Sequence, residues 1–250
     1  PMFQGRRFGL TATKHRQDGM ENLYLYHLGE PVYTDLSTDL KPKVSFLRTG
    51  FRPTSEQVER ILVTQRVNVS RLRTLLANVG YRNALILEEV EKARKKGRRI
   101  LVLGHIVRHL LMLHNATKKS GIVTGSVPTF KRREELKEKD VVYATTAIAA
   151  EGLDAPWLDT LILISPFSAR GLFLQAMGRV LRWYEGKEEP NVIILEDDTK
   201  TTIRMGATLR RILQEQEIDF KIDRETVDPS NTNYYQEIAD DLGGLSWKKV

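Results

Sequence analysis

Residues 140–182 read DVVYATTAIAAEGLDAPWLDTLILISPFSARGLFLQAMGRVLR, and their pattern decides the fold. Two short apolar runs, Val141 to Thr145 and Thr160 to Ile164, lack the alternation of a half-exposed strand and read as parallel strands buried on both faces. Each run leads into polar residues. Thr146 and then Gly152-Leu153-Asp154 follow the first; a helix bearing Gln175, Gly178, Arg179 and Arg182 follows the second. Ligands of open parallel sheets bind outside the carboxyl ends of the strands, so both polar groups are expected to face one crevice there. Helical spacing puts i, i+4 and i+7 on one face, so Gln175, Arg179 and Arg182 are expected to point together. Two guanidiniums and an amide beside a strand-end carboxylate, Asp154, suit a polyphosphate with an attached ribose.

Working outward, the same alternation continues. Ile100 to Leu103 is a strand ending at Gly104-His105 before a helix over 106–118, and Gly121 to Thr124 is another before a turn and a helix over 129–139. Short apolar runs alternating with helices specify an α/β fold with a parallel sheet. Earlier, Lys43 to Phe51 gives a first strand through Val44, Phe46 and Leu47. Thr54 or Ser55 can cap a helix from Glu56, Ser70 one ending near Gly80, and 83–96 is a longer helix. Its basic end, Lys92 to Arg99, reads as a solvated helix terminus that offsets the dipole. Lys131-Arg132-Arg133 opens a helix, where cations oppose the dipole, which hints at a use for the charge although a solvated face is the simpler account. Asn191 to Leu195 is a further strand, 201–216 a helix, Phe220 to Ile222 an edge segment, and 225–250 a loosely held tail that includes Trp247.

The chain has 250 residues, a formal charge of +7 and no cysteine. Its length gives ample core for one large or two small domains. The charge favours an anionic partner, nucleic acid first. Without cysteine there is neither a disulfide nor a thiolate metal site, which fits a reducing compartment, and a cytoplasmic location is expected. No apolar run in the sequence is long enough to span a bilayer, and none reads as a secretory leader.

Four stretches carry a resemblance to a known family. Ala144 to Pro156 resembles motif V of superfamily 2 helicases, and Gln175 to Arg182 resembles their motif VI, Q-x-x-G-R-x-x-R. GRRFGLTATKHRQDG at 5–19 is similar to motif III, with Lys14 where proline is usual, and Gly104-His105 holds the position of motif IV. Order and spacing are nearest to the phage branched-DNA helicases of the UvsW type, GRVLR at 178–182 being the sharpest shared string, and the location would then be the host cytoplasm. The resemblance implies the C-terminal RecA-like lobe of an ATP-driven motor that unwinds or remodels branched DNA. Residues 1–32 would end the first lobe, 33–223 would form the second, and 224–250 a tail.

The same resemblance implies the roles. Arg179 and Arg182 act as arginine fingers and Gln175 positions water or phosphate; Gly152 and Asp154 contact ATP. His105, Thr124, Gly125 and Thr146 touch the nucleic-acid backbone, and Thr11 and Thr13 couple the lobes. No P-loop, G-x-x-x-x-G-K-[ST], occurs in the chain, nor does an acidic D-E-x-x box precede residue 11. ATP and Mg²⁺ are therefore expected to bind mainly to a first lobe supplied in cis or by a partner chain, and this chain alone is expected to be inactive as an ATPase. Glu196-Asp197-Asp198 follows a strand as a Mg²⁺ box would, but without a P-loop it reads as an ordinary strand end. Rival readings stay open: a non-catalytic nucleic-acid-binding module, an RNA helicase or a restriction-type translocase lobe. A metabolic nucleotide enzyme would need the missing P-loop.

Overall fold

The computed structural model describes residues 9, 21–30, 32, 40–150 and 155–224. The chain divides into two units, residues 1–38 and 39–250. The first contains helix α1 (Glu21–Leu28). Along the second run β1 (Lys43–Arg48), α2 (Ser55–Ile61), β2 (Leu62–Val63), β3 (Arg66–Val67), α3 (Val69–Ala77), α4 (Gly80–Lys95), β4 (Ile100–Gly104) and α5 (Val107–Ala116). Then follow β5 (Gly121–Val123), α6 (Thr129–Glu138), β6 (Val141–Thr145), α7 (Thr146–Ala150), β7 (Thr160–Leu163), α8 (Arg170–Val180), β8 (Asn191–Glu196), α9 (Lys200–Glu215) and β9 (Phe220–Arg224).

Seven strands pair in the order β5-β6-β4-β7-β8-β1-β9, every pair parallel. This is the expected α/β parallel sheet, and β4 shows why the sequence makes it. Ile100 and Val102 point to one face and pack with Leu85 and Ile86 of α4 and Leu110 and Leu113 of α5. Leu101 and Leu103 point to the other and pack with Leu136 of α6, Ile148 of α7, Phe173 of α8 and Leu209 of α9. All four β4 residues are buried, which explains an unbroken apolar run, and burying each contributes about 1.5–3 kcal/mol. The chain leaves β4 through α5 toward β5, and leaves β7 through α8 in the opposite direction toward β8. The carboxyl ends of β4 and β7 therefore flank the sheet's switch point, where such folds place ligands.

Several boundaries differ from expectation for identifiable reasons. Thr54 caps α2 as read, exchanging bonds with Gln57. Asn68, not Ser70, caps α3: its Oδ1 accepts from the Arg71 N–H at 3.0 Å. The cap follows the two-stranded β2–β3 hairpin, whose turn residues Thr64 and Gln65 take φ of 47° and 63°. Their types carry no Asn-Gly signal, so the hairpin was not foreseen. Helix α4 starts at Gly80 rather than residue 83, because Arg82 and Asn83 lie inside it as buried polar anchors, Asn83 donating to the Ala77 carbonyl at 2.9 Å. Beyond β8, Phe220 to Arg224 does join the sheet, parallel to β1.

The acids at the end of β8 and just beyond it hold arginines. Glu196 accepts from Arg48 Nε at 3.1 Å and Arg210 Nη1 at 2.5 Å, and Asp197 accepts from Arg82 Nε at 2.7 Å and from the Thr49 hydroxyl at 2.6 Å. Gly206 lets α9 lie on this cluster, since a Cβ there would come within 1.8 Å of Glu196 Oε2.

Candidate functional site

The residues expected to touch nucleic acid come together. His105 follows β4, Thr124 and Gly125 follow β5, and Thr146 follows β6; these strands are neighbours in the sheet, so the residues lie along its carboxyl edge, about 5 Å apart per strand. Their exposure is less uniform than the sequence suggested. Thr124 and Thr146 are 6% and 5% exposed, and the Thr124 hydroxyl already pairs with that of Ser126 at 2.8 Å. Gly125 and Ser126 are open to solvent. The turn they form is held by Arg132, whose Nε donates to the Val127 carbonyl at 2.6 Å and whose Nη2 donates to that of Gly125 at 3.1 Å.

His105 is half-buried, with its ring 5.9 Å from that of Phe167 and its backbone N–H donating to Ser165 Oγ at 3.2 Å. Burial first, and then the charge of Arg73, push its pKa down to about 4. It is therefore neutral near pH 7 and brings no positive charge to a phosphate. The cation beside it is Arg73 of α3, whose Nε and Nη2 donate to the Pro166 carbonyl at 3.1 and 2.8 Å, and whose own pKa is lowered by burial. Nothing local in the sequence marks Arg73, because its partner is 93 residues away.

The arginines occupy a different place from the one expected. β7 and β8 are parallel, so α8 must carry the chain from the carboxyl ends back to the amino ends. Helix α8 is 11 residues, about 16 Å; Gln175 lies at its middle and Arg179 one residue from its end, both half-buried. Helix α8 thus starts at the mouth of the sheet and carries Arg179 away from it, while Gly152 and Asp154, the other half of the expected crevice, lie outside the described residues. One correction concerns Arg182. The helix ends at Val180, so Arg182 lies two residues beyond it, exposed, and does not share a helical face with Gln175. Leu181 still caps the helix, its N–H donating to the Met177 carbonyl at 3.1 Å, and Arg182 is the first residue past that cap.

The chain past this cap is held by Lys187, which the sequence reading overlooked. Its Nζ donates to the carbonyls of Arg182 at 2.7 Å and Pro156 at 2.9 Å, and desolvation pushes its pKa down to about 8 against the pull of Asp159. Tyr184 adds an edge contact to Trp157, with centroids 6.4 Å apart, and Trp183 is exposed beside Arg182. Gly178 is exposed, and a Cβ on it would meet nothing within 4 Å among the described residues. A glycine inside a helix costs about 1 kcal/mol relative to alanine, so it serves nothing visible within this lobe. Gly152 and Asp154, like Thr11 and Thr13, lie outside the described residues.

Residues 81–184 match the family model of the helicase conserved C-terminal domain. Over 163 residues the chain is 27% identical to IRC3 of Saccharomyces cerevisiae, a protein whose name gives it as an ATP-dependent helicase; the match covers 61% of this chain and 23% of that relative. Among solved structures, T4 UvsW superposes with a TM-score of 0.56 at 20% identity, over 75% of this chain and 42% of that one. S. cerevisiae Dbp5 bound to RNA and ADP BeF3 gives 0.50 at 10% identity, over 92% and 54%. The chain thus spans less than a quarter of the curated relative. At these identities the solved structures speak for a shared RecA-like fold.

Proposed function

We propose that the chain carries the C-terminal RecA-like lobe of a superfamily 2 helicase, and that in its motor this lobe grips a DNA backbone at one end and presents arginines to ATP at the other. What supports this reading is the packing of α7 on α8. Helix α7 starts at Thr146, on the carboxyl edge of the sheet, and α8 ends beside Arg179 and Arg182. Two packed helices so joined transmit a displacement at one end to the other as a rigid body.

ATP, held with Mg²⁺ chiefly by a P-loop lobe, supplies the phosphoanhydride whose hydrolysis drives the cycle. Arg179 and Arg182 would stabilise the charge that develops on the transferred phosphoryl group, a role worth about 10³–10⁵ in rate in other nucleotide hydrolases. Gln175 orients water or phosphate, and Asp154 accepts from the ribose. The open flank of Gly178 lets the opposing lobe approach closely. Closure on ATP then moves the grip at His105, Gly125 and Thr146 along the strand, and hydrolysis releases it. Backbone amides and hydroxyls at the grip read phosphate and not base, which suits translocation on any sequence. Branched DNA is the proposed substrate, by the resemblance of motif order to the phage enzymes. Residues 1–32 are assigned to the end of the first lobe, with Thr11 and Thr13 coupling nucleotide state to lobe closure.

The test joins this lobe to a P-loop lobe and measures ATP turnover with forked DNA, linear DNA and RNA. The purified 250 residues are expected to hydrolyse no ATP, and the two-lobed protein to be stimulated most by forked DNA. Stoichiometric turnover by the 250 residues alone would contradict the assignment.

A further inference from the structure

Phe130 is the second residue of α6, directly after the turn that ends β5, and is 70% exposed. The other described phenylalanines differ: Phe46, Phe51, Phe167 and Phe173 are buried, and Phe220 packs against the core. Leu136 is the one buried residue of α6, and the Phe130 ring is not part of the core that the helix covers. A lone exposed apolar side chain means little by itself. Its surroundings decide the matter. Lys131 and Arg133 are exposed on either side of Arg132, and the first turn of α6 contains no acid, so cations stand where the helix dipole disfavours them. The turn beneath the ring is not free to fold it away, because Arg132 bonds the carbonyls of Val127 and Gly125. The ring therefore stands on a fixed turn, at the open edge of the sheet, next to Gly125 and Ser126 and one strand from Thr146.

A partner for this patch must be anionic and offer a flat apolar face. We infer that Phe130 is a stacking platform for one nucleobase of a single strand whose phosphates pass over Gly125 toward Thr146, with Lys131 and Arg133 neutralising the flanking phosphates. The inference rests on the nucleic-acid reading of the carboxyl edge and adds to it a base contact that backbone grips lack. Stacking tolerates any base, so it would fix register on the strand without choosing sequence.

The test uses the 250-residue chain, a labelled oligo-dT and an abasic strand of equal length and charge, at low salt. Wild type is expected to bind oligo-dT roughly tenfold more tightly than the abasic strand, as one stacked base implies. Phe130→Ala is expected to erase that preference and leave abasic binding unchanged, and Phe130→Trp to keep it. Equal wild-type affinity for the two strands overturns the inference, as does a preference that survives in Phe130→Ala. Equal weakening of both strands by Phe130→Ala also overturns it, since the ring would then support the turn or a protein neighbour. Failure of both strands to bind wild type refutes instead the nucleic-acid reading beneath it.

Discussion

Arg82 and Asp197 form an ion pair with no solvent access at either side chain, Nε to Oδ1 being 2.7 Å and Nη2 to Oδ2 3.2 Å. Arg82 Nη2 also donates to the Ile164 carbonyl at 2.7 Å, and Thr49 donates to the same carboxylate at 2.6 Å. One guanidinium from α4 thus ties together the residues after β1, β7 and β8, and holds the carboxyl edge of the sheet in shape. Arg82→Met leaves a buried carboxylate without its cation, and should cost about 3–5 kcal/mol in urea unfolding of the chain. Replacing both partners, Arg82→Met with Asp197→Leu, should recover much of that loss. A single variant within about 1 kcal/mol of wild type would show that the pair carries little.

Gly206 is the contact point between α9 and Glu196. The carboxylate that an added Cβ would strike is 2% exposed and pinned by Arg48 and Arg210, so it cannot swing aside cheaply. Gly206→Ala should destabilise the chain by about 1–3 kcal/mol despite alanine's better helix propensity. A rise in thermal midpoint would contradict this.

The buried histidines set a pH limit. His109 is 3% exposed, and its Nε2 pairs with Asn83 Oδ1 at 2.8 Å; because that oxygen only accepts, the ring nitrogen donates. Burial first, then the Arg82 charge, push its pKa down to about 3 from 6.5. Between those values the unfolded chain binds a proton that the folded chain does not. Stability is therefore complete above about pH 6.5 and falls as pH drops toward 3, by at most about 1.4 kcal/mol per unit for one group. His105, lowered to about 4, acts in the same direction. His109→Gln should flatten the slope of the unfolding midpoint against pH between 4 and 6, and an unchanged slope would refute the assignment.

Gly178 sets lobe stability against function. Gly178→Ala should stabilise the isolated chain by about 0.5–1 kcal/mol, since its flank is open and helix propensity favours alanine. The same change should lower nucleic-acid-stimulated ATP turnover in the two-lobed protein, where the opposing lobe must come close. A variant that gains stability and keeps full turnover would remove Gly178 from the cleft.

Most of the architecture was legible because each strand of the central sheet is buried on both faces and so appears as an unbroken apolar run between polar turns. Motif order likewise placed Thr146 at the end of β6 and Gln175 within α8, because short-range chain geometry sets both positions. That Arg179 lies at the far end of α8 was not legible, because a strand-helix-strand unit has two ends and periodicity does not say at which of them a side chain near the helix terminus will lie. Arg182 was misplaced on α8 because nothing in GRVLR marks the end of a helix; Lys187 bonds the Arg182 carbonyl from five residues downstream. Arg82, Arg73 and Asn83 were hidden since a polar residue in a helical stretch reads as solvent-facing until its distant partner is known.

The central claim is that the far end of α8 serves ATP while the mouth of the sheet serves nucleic acid, and separate readouts test it. In the two-lobed protein, Arg179→Ala and Arg182→Ala should each lower ATP turnover by about 10³ or more while changing DNA affinity less than about threefold. Near-normal turnover in either variant, or DNA binding lost together with turnover, would contradict the account.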